Sequence, residues 1–147
     1  MTDHTPTPVS GPVAELLSAA RAALLAAALE PRPQQRYVDA HIAALRAAAA
    51  VLAARARRAG KGSSGPRSAW ALLGRVAPEL GEWAAFFAAG TSRRQAAELG
   101  AAELGAPGAI TSREADDLLR DAQTFLALVE TTLGRHHQAP LPLRTVG

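Results

Sequence analysis

The segment Arg36-Tyr-Val-Asp-Ala-His41 sets a guanidinium and an imidazole on one stretch of chain with four residues between them. Histidine ordinarily titrates near neutrality, so it can take or give a proton there. A guanidinium grips phosphate or carboxylate oxygens through paired N–H donors. Arg36 and His41 are therefore the candidate catalytic pair. Position 41 also suits packing, because it lies three after Val38 and four before Leu45 on an apolar stripe, where a hydrogen-bonded core histidine would sit. At a separation of five residues the pair points about 140° apart around a helix, which the length of an arginine only partly offsets.

A second group gathers cations: Arg55, Arg57, Arg58, Lys61 and Arg67 surround one Gly/Ser-rich stretch. Such a cluster can track a phosphate backbone, and a solvated helix C-terminus attracts the same residue types without a ligand. No aromatic residue interleaves with it, so base stacking is not indicated. His136-His137 lacks neighbouring carboxylates and makes a poor metal site. Asp116, Asp117 and Asp121 neighbour Arg113 and Arg120 and read as a solvated, ion-paired face. Ser92–Gly100 faintly suggests the first helix of a helix-turn-helix, but the apolar duplicate ending at Gly105 follows in place of a polar recognition helix. There is no GxGxxG, P-loop or GxSxG motif, and neither metal nor cofactor is expected.

These residues must be positioned by helices. From Gln34 to Arg58 there is no Gly or Pro, Pro33 suits a first turn, and Val38, Ile42, Leu45 and Leu52 recur at helical spacing. Arg55, Arg57 and Arg58 are expected to close the last turn. The many alanines of this central helix imply close approach of a neighbour. A preceding helix is expected over residues 12–30, joined by the short Pro31–Pro33 connection and so antiparallel to it. A loop at 59–67 leads to a third helix over 68–90, with Trp70, Leu73, Val76/Ala77, Leu80, Trp83/Ala84 and Phe87 on one face. Pro78 should kink or divide it. Ser92-Arg-Arg-Gln95 and Thr111-Ser-Arg-Glu114 both fit capping boxes, opening a short helix and a last long one. The last helix should bury Ala115, Leu118/Leu119, Ala122, Phe125/Leu126, Val129 and Leu133, pair Asp116 with Arg120, and stop at Gly134. Ala96–Gly100 is repeated as Ala101–Gly105, a local duplication too short for a solenoid.

The expected fold is thus all-α: an up-and-down bundle of four long helices plus one short helix, in one domain over 12–134 between flexible tails at 1–11 and 135–147. Its 147 residues, 48% hydrophobic and 20% charged, suit one globular domain. Six aromatic residues leave the core to Leu, Ala and Val, with Trp70 and Trp83 as core or dimer-interface anchors. The absence of cysteine excludes disulfides, thiolate metal sites and cysteine nucleophiles. A net charge of +3, almost all of it from arginine, permits a polyanionic partner without requiring one. With no unbroken apolar run of spanning length and no signal-peptide pattern at the N-terminus, a cytoplasmic protein without membrane contact is expected.

The Arg36–His41 motif, the Arg-Tyr-Val-Asp-Ala-His-Ile-Ala-Ala-Leu-Arg46 segment around it, the Ser68–Gly90 segment with its two tryptophans, and Arg113–Ala122 together resemble the HEPN superfamily, in a small actinobacterial form. The resemblance implies a helical bundle, usually a homodimer. It also implies that Arg36 and His41 match the Arg-x(4–6)-His motif of metal-independent ribonucleases, whose motif residues face one another across a dimer cleft. There an imidazole would serve the RNA 2′-OH or the leaving oxygen while a guanidinium held the phosphate. Two functions are expected from this likeness. One is a dimeric module that binds RNA or a protein partner without catalysis; the other is a metal-independent endoribonuclease using Arg36 and His41.

Overall fold

Helix signals and helix breakers decide the architecture. The computed structural model describes residues 11–55, 66–99 and 108–137, with side chains throughout except at 66–68 and 135–137. Of the tails expected at 1–11 and 135–147, residues 1–10 and 138–147 lie outside the described residues, as do residues 56–65 and most of the Ala96–Gly105 duplication, while Gly11 and residues 135–137 belong to helices. The elements are α1 (Gly11–Leu29), α2 (Pro33–Ala54), α3 (Pro66–Val76), a 3₁₀ turn (Pro78–Leu80), α4 (Gly81–Ala89), α5 (Thr91–Glu98) and α6 (Ser112–His137). Among the described residues no strand forms, and the chain is an all-α bundle. If α3 and α4 are counted as one interrupted helix, it comprises four long helices and the short α5.

Pro31 and Pro33 hold α1 and α2 to a short connection, and these two helices make the most extensive contact in the bundle. Ala20 and Ala27 of α1 and Ala40, Ala44, Ala47 and Ala48 of α2 are fully buried. Side chains this small let helix axes come close. By length and composition α1 and α2 are apolar enough to cross a membrane, which corrects the sequence expectation. In this fold, however, more than half of the α2 stretch concerned is buried inside the bundle, as a core helix requires.

Pro78 divides the third helix as its missing N–H and ring demand. Ala77 before it leaves helical geometry (φ −130°, ψ 75°), and the Leu80 N–H closes back on the Ala77 carbonyl at 2.8 Å. The break sets Trp70 of α3 and Phe87 of α4 nearly parallel, 5.1 Å between ring centres. Phe125 of α6 packs 5.2 Å from Phe87 and completes the aromatic centre of the core.

Four local expectations are corrected. α2 ends at Ala54, and Arg55 is its capping residue rather than part of the last turn. The Ser92–Gln95 box does not form: Gly90 keeps right-handed helical angles, so α5 starts at Thr91 directly after α4 with no side-chain cap. The Thr111–Glu114 box is half made, for Thr111 Oγ1 accepts the Glu114 N–H at 3.0 Å while the Glu114 carboxylate turns to Arg93. Gly134 does not end α6, which continues to His137; a glycine stop needs a left-handed residue, and only Gly108 has a positive φ (85°) among the described residues.

Candidate functional site

Arg36 lies in the first turn of α2, just past the two prolines, and its side chain folds back over the α1–α2 connection. Its guanidinium donates to the Glu30 carbonyl at 2.9 Å, to the Pro31 carbonyl at 3.0 Å and to Asp116 Oδ1 on α6 at 2.6 Å. Those carbonyls belong to the connection just past the C-terminal end of α1, where a cation is favoured. The side chain is 14% exposed. It clamps α1, α2 and α6 at one end of the bundle. The expected Asp116–Arg120 pair is thereby corrected: Asp116 serves Arg36, and Arg120 turns to Asp117 at 3.5 Å.

His41, one turn and a half further along α2, is 0% exposed. Its Nε2 donates to the Phe87 carbonyl at 3.0 Å, so the ring carries its proton on Nε2 and leaves Nδ1 a bare acceptor. Trp70 and Phe87 meet it edge-to-face, 6.2 and 5.9 Å between centres. Burial lowers its pKa from 6.5 to about 4, with the Phe87 bond opposing and the nearby Arg94 charge reinforcing that shift. The imidazole is neutral across the physiological range. The structure gives Arg36 and His41 separate surroundings: the end of α1 for one and the aromatic core for the other.

Of the basic cluster, only Arg55 has a described side chain. It donates to the Val76 carbonyl at 3.3 Å, at the end of α3, and to Glu79 at 2.8 Å. Arg55 is thus a second helix-end clamp, while Arg57, Arg58 and Lys61 and the side chain of Arg67 fall outside the described part. The side chains of His136 and His137 do so too. Among the described residues no group of three or more His, Cys, Asp or Glu could hold a metal ion.

Beside His41 the structure places a cavity of about 300 Å³, which sequence reasoning missed. Tyr37 and His41 of α2, Phe86 and Phe87 of α4, Gly90 and Leu118 line it, with Arg93 at its edge. Tyr37 shares the α2 face of His41 at helical spacing. Arg93 is held by both carboxylate oxygens of Glu114 and by the Gly108 carbonyl at 2.9 Å, so its charge is already answered. The Arg93 hydrogen bonds hold the Glu114 carboxyl below the usual range, and burial raises the Tyr37 phenol. One sequence signal could have pointed here. Consecutive helical residues diverge by about 100°, so in the Phe86-Phe87 doublet one ring had to leave the core stripe. Phe87 is in the core and Phe86 is 47% exposed.

The profile of a family described as SAV_6107-like HEPN matches residues 26–130. No curated protein and no solved structure matches the chain.

Proposed function

Because the chain belongs to the SAV_6107-like HEPN family, we propose that it is a binding or assembly module, working as a homodimer, that engages RNA or a protein partner without catalysis of its own. One observation carries the non-catalytic part: the His41 imidazole is buried and its Nε2 proton is already given to the Phe87 carbonyl. A general acid or base must reach within hydrogen-bond distance of the substrate proton. His41 borders a cavity, but its Nε2 proton is engaged by the Phe87 carbonyl, and a second protomer would cover surface rather than free it. A pKa near 4 also leaves too little imidazolium near neutrality to protonate a leaving oxygen. Arg36, tied to two carbonyls and Asp116, would have to break three hydrogen bonds to meet a phosphate.

The test is incubation of the purified full chain with end-labelled single-stranded RNA in EDTA, beside the His41→Ala variant. Intact RNA at high protein excess is the expected result. Cleavage by the wild type that disappears in His41→Ala would establish the ribonuclease instead. Dimerisation is checked by sedimentation at micromolar concentration, where a monomer would remove that part of the proposal.

A further inference from the structure

Phe86 is a wall shared by two hollows. On one side lies the cavity of about 300 Å³ floored by Tyr37 and His41. On the other is a hollow of about 350 Å³ lined by Glu82, Trp83, Phe86 and Asp121. Three observations point to an occupant from outside the bundle.

The first is Tyr37. Its ring is buried, the residue being 6% exposed, and it lines the cavity. A Cβ added at Gly90 would stand 3.4 Å from that hydroxyl and 3.5 Å from His41 Nε2, which places the oxygen at the cavity. The buried side-chain atoms left without a partner among the described residues do not include this hydroxyl, so it meets solvent at the cavity, where a ligand acceptor would replace water. The second is charge. Most described carboxylates hold an arginine. Glu82 and Asp121, which both line the second hollow, hold none among the described residues, on a chain whose net charge is +3. Burial, then the neighbouring Asp117, raises the Asp121 carboxyl, with Arg120 opposing; no cation sits close enough to reverse that. The third is the aromatic corner. Trp83 and Phe86 meet at 88°, 6.2 Å between ring centres, and Trp83 is only partly buried. Trp83 stacks on Phe87 at 5.9 Å; aromatic rings that line one hollow with two carboxylates favour a cation through both charge and the ring quadrupole.

We propose that the two hollows form one docking site for a protein partner presenting an apolar side chain next to an arginine. The apolar side chain fills the Tyr37–Leu118 cavity, and an adjoining carbonyl of the partner accepts the Tyr37 hydroxyl. The guanidinium stacks on Trp83 between Glu82 and Asp121, where its flat fork can address both carboxylates. Arg93 offers the partner no free charge, since Glu114 and two carbonyls hold it. An RNA phosphate on this face would meet two unpaired carboxylates and be repelled. The assignment rests on reading the chain as a binding module and selects protein as the partner for this face.

The probes are the peptides acetyl-Leu-Gly-Arg-amide and acetyl-Leu-Gly-citrulline-amide, identical but for the charge. They are titrated into the full chain and followed by the Trp83 indole N–H resonance, identified with Trp83→Phe. The arginine peptide should bind about tenfold more tightly than the citrulline peptide. In the double variant Glu82→Gln/Asp121→Asn, both positions being outside the core, that preference should vanish. Gly90→Ala keeps its helical backbone, pushes a methyl toward the Tyr37 hydroxyl, and should weaken both peptides alike. Equal affinity for the two peptides, a preference that survives the double variant, or no movement of the Trp83 signal each overturns the site. So does displacement of the arginine peptide by an oligouridylate. If the peptides fail while RNA stays intact in EDTA, the docking site falls and the non-catalytic reading stands. If RNA is cleaved while the peptides bind, the docking site stands and the non-catalytic reading falls.

Discussion

Replacing His41 by glutamine should flatten the dependence of stability on pH between neutrality and pH 5. A glutamine amide can still donate to the Phe87 carbonyl but cannot titrate. In the wild type the folded pKa lies at about 4 against an ordinary 6.5. The unfolded chain therefore takes up a proton that the folded chain refuses. The His41 contribution is complete above the unfolded value and is lost as pH falls toward the folded one. Linkage across that gap is worth about 3 kcal/mol in total, and about 2 kcal/mol of it disappears between pH 7 and pH 5. The assay is urea unfolding of both proteins at pH 7, 6 and 5. At pH 7 the variant should be less stable by about 1–3 kcal/mol, since glutamine repacks poorly against Trp70 and Phe87. By pH 5 most of that difference should have closed. His4, His136 and His137 are present in both proteins and cancel in the comparison. Two curves running parallel from pH 7 to pH 5 would mean that His41 titrates normally, and its burial as a neutral ring would be refuted.

Arg36→Ala should cost about 2 kcal/mol in urea unfolding, since it strands the Glu30 and Pro31 carbonyls of the α1–α2 connection. Arg36→Lys should recover little of that, because an ammonium cannot span two carbonyls and Asp116 together. Asp116→Asn should cost at most about 1 kcal/mol, because the aspartate is largely exposed; a loss as large as that of Arg36→Ala would shift the clamp from the carbonyls to the ion pair. Ala44→Leu, at a fully buried position on α2, should destabilise by about 1–3 kcal/mol through overpacking. An unchanged denaturation midpoint would show that the alanine-rich helices leave room for a larger side chain between them.

Helices and their buried faces were readable from spacing alone. Trp70, Leu73, Ala77, Leu80, Ala84 and Phe87 keep one face across the Pro78 interruption, and Ala115, Leu118, Ala122, Phe125, Val129 and Leu133 do so along α6. Such regularities are local, and local signals survive without tertiary knowledge. Partner choice did not survive it. The spacing of Asp116 and Arg120 suits an ion pair, yet Asp116 faces a guanidinium 80 positions away, held there by the carbonyls of Glu30 and Pro31. Glu114 fits a capping box by sequence, and Arg93 wins it because the fold brings α5 against the start of α6. The Arg36–His41 spacing was legible as a motif but silent about direction. Which residues of α2 face the Trp70–Phe87 stack depends on where α3 and α4 settle, and that follows from the break at Pro78. The Tyr37 cavity and the Glu82–Asp121 hollow each draw on residues from more than one helix, so no single stretch announces them.

The most direct measurement is an NMR titration of the His41 ring in the full chain, with ring carbon and nitrogen shifts followed from pH 8 down to pH 4.5. The expected record is a neutral imidazole with its proton on Nε2 at every pH above 5, unmoved by added RNA. A ring that takes up its proton near pH 6.5 and shifts when RNA is added would contradict a buried, neutral His41 and return the Arg36–His41 pair to catalysis.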